Sequence, residues 1–334
     1  QATQSNLNKL HSRNIKNIMS KNYFEILRPG INSTFQDLGR FNQHHIGIPM
    51  SGAMDKRSYL IGNKLVGNNN NISAIEFAYQ GPLLKLQSTK VICAVTGNVN
   101  FKILRANSKI EEGECYETFE LNDGDQIDVI STNKSVYGYF FINGGFEIES
   151  FWKSFSINTM AQIGPNDGTK FSLNQKLFIK NKDSEFQKKR IEYLNSKIEF
   201  IRVLKGTNFN YFSEEGINNF FNKEFTVSKL TDRMGMRIEG PKIENIVETN
   251  IKSEGLIKGV IQVPGDGNPI IMLSDYGTVG GYPKIAVVIS ADHDRLTQLT
   301  PGSKIKFKLV ELNEAENLYK LYEIETKNIL NQIR

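Results

Sequence analysis

Gln262–Ile289 reads Q-V-P-G-D-G-N-P-I-I-M-L-S-D-Y-G-T-V-G-G-Y-P-K-I-A-V-V-I. Short β-branched runs alternate here with turn clusters, the pattern of strands joined by tight connections. Between Ile270–Leu273 and Ile285–Ile289 lies Asp275-Tyr276-Gly277-Thr278-Val279-Gly280-Gly281-Tyr282-Pro283. That loop holds more glycine than a hairpin requires. Glycine lets a backbone turn tightly, or lets another molecule approach it closely. The loop is therefore either a β-bulge or barrel corner, or a ligand loop.

Working outward, the same strand-and-turn alternation fills most of the chain. Tyr23–Leu27, Ile75–Ala78, Leu83–Leu86, Lys90–Thr96, Gln126–Ile130 and Gly138–Ile142 form one series. A second series comprises Ile198–Leu204, Phe225–Ser228, Val260–Val263, Ile270–Leu273, Ile285–Ile289 and Lys304–Val310. Helices are expected at Asp55–Val66, Tyr211–Phe221 and Asp292–Leu299. In the first, Asp55 is a natural cap, Ile61 and Leu65 share a face, and Gly67 is a natural stop. From Asn313 to Arg334, Ala315, Leu318, Tyr322, Ile329 and Ile333 fall near one helical face, with Asn313 as the expected cap. That helix is expected to pack on its own domain or to reach a partner protein.

Two strand series with few helices predict a mainly β protein of two β-barrel-like domains. The charged stretch Asn181–Lys197 reads as a solvated helix or linker, which places the boundary there. The expected units are an N-terminal extension over 1–22, which is disordered or not native, barrels over 23–195 and 196–311, and a C-terminal helix over 312–334.

Composition excludes several classes. Lys and Arg number 41 and Asp and Glu 36, a formal charge of +5, with no basic stripe for nucleic acid. No apolar run approaches the ~20 residues of a membrane span. Residues 1–18 lack the apolar core of a secretory signal. Cys93 and Cys115 have neither metal nor redox spacing, which fits reduced thiols and a cytoplasmic protein. The four histidines lack metal-ligand spacing too, so no metal is expected.

Chemistry-bearing residue types concentrate in Gln36–Asp55, Q-D-L-G-R-F-N-Q-H-H-I-G-I-P-M-S-G-A-M-D. Arg40 has the fork geometry for a carboxylate or phosphate. His45 is a candidate acid/base near neutral pH. Ser51, Gly52 and Ala53 precede a helix start, where anions are favoured. The pattern is not a nucleophile elbow, and the chain has neither a phosphate loop nor a dinucleotide fingerprint. Asp292-His293-Asp294 resembles a metal triplet but opens a helix, so Asp292 reads as its cap. Thr231–Arg237, T-D-R-M-G-M-R, is a polar turn in which Asp232 and Arg233 cap or bridge and Arg237 faces a cleft.

Taken in order, Q-D-L-G-R, G-I-P-M-S-G-A-M-D, N-K-L-V-G-N, E-F-A-Y-Q-G-P, V-T-G, I-R-V-L-K-G, D-R-M-G-M-R, S-E-G, I-Q-V-P-G-D-G and G-G-Y-P-K-I-A span Tyr23 to Val310. This succession resembles the KipA family, also called allophanate hydrolase subunit 2 or the biotin-dependent carboxyltransferase family. The resemblance implies cyclophilin-like β-barrel domains and a KipI-like partner, the B component of the assembly, with the active cleft where the two meet. Together with an A component, such proteins form the ATP-dependent 5-oxoprolinase that opens 5-oxoproline to L-glutamate. The resemblance thus implies ATP use by the complex, through a site not readable in this chain. A related role is carboxyl transfer from carboxybiotin to urea or an amide, and a third is non-catalytic antagonism of a KipI-type kinase inhibitor.

Residue by residue, the resemblance places Arg40, His45, Asp55 and Arg237 in a catalytic cleft, lined for substrate by Gln262, Thr278, Gly280, Gly281 and Tyr282. Arg40 and Arg237 would hold a carboxylate or phosphate, His45 would move a proton, and Gly280 and Gly281 would offer amides to a developing oxyanion. The chain departs from the family pattern after Arg40, where Phe41-Asn42-Gln43-His44 replaces Pro-Gly-Tyr-Gln. It departs again at Gly277 and Val279, and at Lys153-Ser154-Phe155-Ser156-Ile157, where the family's arginine gives way to Phe155.

Overall fold

A computed structural model describes residues 22–69, 71–180, 185–193 and 199–333. The extension expected over 1–22 lies almost wholly outside these residues, as does much of the expected linker. The part of that linker that is described, 185–193, is extended rather than helical. Thr118 N donates to Lys189 O at 2.9 Å and Ile191 N to Tyr116 O at 3.0 Å, which pins it along a sheet edge.

The first strand series builds two antiparallel sheets. One has the order Lys176–Phe178, Tyr23–Arg28, Leu83–Gln87, Gln126–Thr132, Val99–Leu104, Ile110–Glu112; the other runs Thr34–Gln36, Ala74–Ala78, Tyr137–Ile142, Val91–Thr96, Thr118–Leu121. Alternate residues of both, including Phe24, Ile26, Phe77, Leu84, Phe101, Ile127 and Phe140, share a single buried core. The pair is a barrel-like sandwich.

The second series forms one sheet ordered Lys304–Ile305, Phe225–Thr231, Gly235–Glu239, Ile270–Met272, Val260–Gln262, Lys284–Val288, Ile201–Lys205, Phe307–Leu309. Its two edge strands are separated in sequence only by Lys306. The expected strand Lys304–Val310 is thus broken in two, each half pairing with an opposite edge, and the sheet nearly closes into a barrel. The mainly β, barrel-like fold expected from the sequence is what the chain adopts.

Helix α1, Lys56–Leu65, starts where expected, with the Asp55 carboxylate accepting from Ser58 N at 3.0 Å. Gly62 inside it is required, because a Cβ there would lie 2.0 Å from the Phe141 ring. Helix α2, Glu214–Asn222, is capped by Ser213, so it begins later than expected. Helix α3, His293–Thr297, corrects another expectation. Asp292 does not cap it; its carboxylate is taken by the Arg202 guanidinium and backbone N–H.

Helix α4, Leu312–Gln332, buries Ala315 and Tyr322 with Leu318 and Ile329 partly covered, as its periodicity implies. Asn313 lies inside it and Glu311 holds the cap position, with no side-chain cap bond. The helix does more than cover its own barrel. Arg57 of α1 donates to Tyr322 O and Thr326 Oγ1, each at 2.9 Å, and stacks 4.2 Å from the Tyr322 ring centroid. Asp294 accepts from the N–H groups of Lys56 and Arg57, and from the Tyr322 hydroxyl. One carboxylate of the second barrel thereby satisfies two orphan donors of a first-sandwich helix.

Candidate functional site

The excursion after the strand Thr34–Gln36 is tied at its neck. Arg40 N donates to Met50 O at 2.7 Å and Ala53 N to Asp37 O at 2.8 Å. Within that neck Asp37 is buried and saturated. It accepts from Gly39 N (2.8 Å), Ser154 Oγ (2.7 Å), Phe155 N (2.7 Å) and Ser156 Oγ (2.6 Å). The altered Lys153–Ile157 segment therefore serves to hold Asp37.

Arg40 is 1% exposed. Its Nη2 donates to Ser156 O, while Nε and Nη1 have no partner among the described residues. Burial lowers its pKa, and the nearby Asp37 and Asp275 charges oppose that shift. Buried donors left open are uncommon and costly, and a guanidinium fork with two free N–H groups suits a planar anion.

Across from this neck stands Arg233, also buried but fully engaged. It meets Asp275 through Nε and Nη2 (2.8 and 3.0 Å), Gly52 O at 2.8 Å, Gln36 Oε1 at 3.3 Å, and Glu76. Against burial, which alone would lower it, Asp275 and Glu76 raise its pKa. Glu76 is raised, chiefly by burial. Arg233 thus ties the glycine loop to two strands of the first sandwich. Next to Asp275, the buried Tyr276 hydroxyl lies 2.8 Å from His44 Nε2.

The glycine loop itself is organised by a two-stranded ladder, Glu254–Gly255 against Val279–Gly280. Leu256 N donates to Thr278 O at 3.0 Å and Gln262 Nε2 to Tyr282 O at 3.2 Å. A Cβ on Gly280 would sit 2.6 Å from Gln262 Nε2, so only glycine lets this amide support the loop from beneath. Lys284 Nζ closes the cluster on Glu254 at 2.6 Å.

Of the residues expected at the site, Gln262, Thr278, Gly280, Gly281 and Tyr282 therefore come together, and Arg40 faces the Asp275 end of the same loop. His45 is exposed beside His44, which makes the contact with Tyr276. Arg237 is exposed on the strand Gly235–Glu239, where its charge acts on Asp266. Asp55 is buried and opens on a separate cavity of about 830 Å³ with Gln298 and Tyr116. Burial, then the Asp294 charge, raises its pKa to about 7.

A cleft of about 290 Å³ lies between the Asp37–Lys56 stretch, Lys258 and His293 of the second barrel, and Tyr319 and Tyr322 of α4. Arg233, Asp275, Tyr276, His44 and Lys258 are the groups sequence reasoning left out. The first four stand inside stretches quoted above, but only the long-range contacts separate Arg233 from Arg237. Among the described residues, no group of three or more His, Cys, Asp or Glu is placed to hold a metal, and no helix is long and apolar enough to cross a membrane.

Two barrel-like β units joined through a buried arginine, with a glycine loop and a cleft at the junction, define a class. Residues 46–309 match the carboxyltransferase domain, subdomains A and B, and the chain belongs to that family, the one to which its motif order points. The chain is 33% identical over 310 residues to the C component of the 5-oxoprolinase of Haemophilus influenzae, covering 93% of this chain and 97% of that protein. It is 29% identical to the corresponding C component of the Escherichia coli 5-oxoprolinase, over 87% of this chain and 92% of that one. The crystal structure of the urea amidolyase of K. lactis superimposes with a TM-score of 0.83 at 28% identity, over 93% of this chain and 20% of that protein.

Proposed function

We propose that this chain is the C component of an ATP-dependent 5-oxoprolinase, opening 5-oxoproline to L-glutamate with a KipI-like B component and an A component in the cytoplasm. The observation that carries this reading is the match to the H. influenzae protein, which extends over 97% of that protein's length.

Opening an unstrained lactam requires polarising its carbonyl and stabilising the oxyanion that develops. The open Nε–H and Nη1–H of Arg40 supply fixed donors in a water-poor setting. The Tyr276–His44 pair offers a short hydrogen-bonded route for a proton. Hydrolysis of ATP supplies the driving force, and this chain carries no standard phosphate-loop motif for the nucleotide.

A second reading is favoured by the urea amidolyase match: carboxyl transfer to urea or another amide. Carboxybiotin would then supply an activated carboxyl group, and Arg40 is the residue suited to that planar anion. The biotin carboxylase and carrier would be separate chains.

ATP-dependent glutamate release from 5-oxoproline, with the chain assayed alone and with its KipI-like and A-component partners, decides between these. Glutamate that appears only with all three supports the first reading. A stable complex that releases none, yet carboxylates urea when a biotin carboxylase and carrier are added, replaces it with the second.

A further inference from the structure

Most polar groups around the 290 Å³ cleft are already engaged. Asp37 accepts four donors, and Asp294 is held by two backbone amides and the Tyr322 hydroxyl. Lys56 Nζ pairs with Glu323 at 3.1 Å. His293 Nε2 lies 3.2 Å from Val288 O; burial, then the charge of Lys258, holds its pKa at about 3, so it stays neutral.

Lys258 differs. Among the described residues no hydrogen bond or ion pair engages its ammonium, although the side chain is half-buried at the cleft wall. The turn that carries it is fixed, with Gly259 N donating to Met272 O at 2.8 Å and Val260 N to Ile257 O at 3.2 Å. Burial lowers its pKa, an effect that the Asp294 charge partly offsets. An under-solvated cation facing a cavity gains from an anion that enters it. Phe41, Met50, Tyr319 and Tyr322 add largely apolar surface to the wall.

We propose that Lys258 is the carboxylate-binding residue of this cleft, and that its ligand is a small carboxylic acid whose uncharged body lies against Phe41, Tyr319 and Tyr322. In naming 5-oxoproline as that acid, the proposal rests on the oxoprolinase reading. The ring is then the uncharged body, and Lys258, which lines this cleft where Arg40 and Arg237 do not, selects the substrate's charge.

The test uses the full chain and the assembled complex. Reductive methylation with carbon-13 labels the lysines, and the Lys258 resonance is assigned by its loss in Lys258→Arg. Acetate and L-5-oxoproline should both shift that resonance, and 2-pyrrolidinone, the same ring without the carboxylate, should not. In the complex, Lys258→Gln should raise KM for 5-oxoproline roughly 10- to 100-fold with little change in kcat, and Lys258→Arg should restore part of the loss. A Lys258 shift with both acids, but no glutamate from the unaltered complex, keeps the binding role and removes the oxoprolinase reading. No shift with either acid, an equal shift with 2-pyrrolidinone, or an unchanged KM in a complex that turns over would overturn the proposal.

Discussion

Arg233 and Arg40 are both buried arginines at the junction of the two barrels, yet their surroundings are opposite. Around Arg233 the guanidinium is matched by two carboxylates, a carbonyl and an amide oxygen. Around Arg40 one carbonyl accepts, and two nitrogens find no partner among the described residues. A saturated polar knot fixes geometry, because removing any member strands the rest. An unsaturated one stores recognition capacity, because its missing partner can arrive as a ligand. The same residue type therefore does structural work in one place and is left open for chemistry a short way off.

The contrast breaks most sharply at Arg233. Arg233→Met leaves Glu76 and Asp275 buried without their cation, and urea unfolding should show a loss of about 3–5 kcal/mol. Arg40→Met should behave in the opposite way. Asp37 keeps its four neutral donors, so stability should change by no more than about 1 kcal/mol, while turnover by the complex falls roughly 100-fold. Equal destabilisation by the two substitutions would end the comparison.

A third substitution probes the acid pair beside the knot. Asp55 has its pKa raised from 3.8 to about 7 by burial and by Asp294. The folded state therefore binds its proton more tightly than the unfolded chain does. The associated stability is complete below pH 3.8 and is lost as pH rises through about 7. Asp55→Asn cannot ionise, so its stability relative to the unaltered protein should improve as pH climbs through that window. A pH-independent difference between the two proteins would show that the pKa of Asp55 does not change on folding. The smallest effect is expected for Tyr322→Phe, which removes one donor from Asp294 while two backbone amides remain. Thermal or urea unfolding should register about 1 kcal/mol.

How much of this was legible in the sequence follows from the range of each interaction. Strands and α1 were readable because alternation, the Asp55 cap and the apolar face of Ile61 and Leu65 are local signals. The caps assigned to Asp292 and Asn313 failed for a related reason. Asp292 was a plausible cap by position, but its carboxylate is claimed by Arg202, ninety positions earlier. For α4 the chain turns helical one residue before Asn313, which places that residue within the first turn. At the site, the glycine loop was recognisable by composition, and Gln262 and Tyr282 were found with it. Choosing Arg233 over Arg237, or His44 over His45, requires knowing which side chain meets Asp275 or Tyr276, and those contacts join distant segments. Lys258 carried no motif at all; its significance comes from the absence of a partner.

The two short strands on either side of Lys306 have a consequence for how this protein is made. They seal both seams of the second barrel, and the chain then runs directly into the helix that grips α1. During synthesis, then, the barrel stays open and α1 lacks its clasp until Lys304–Leu309 and the helix after it have emerged. A nascent chain stalled before Lys304 would present two raw sheet edges, and quality control could tell a closed barrel from an open one by that single pairing event.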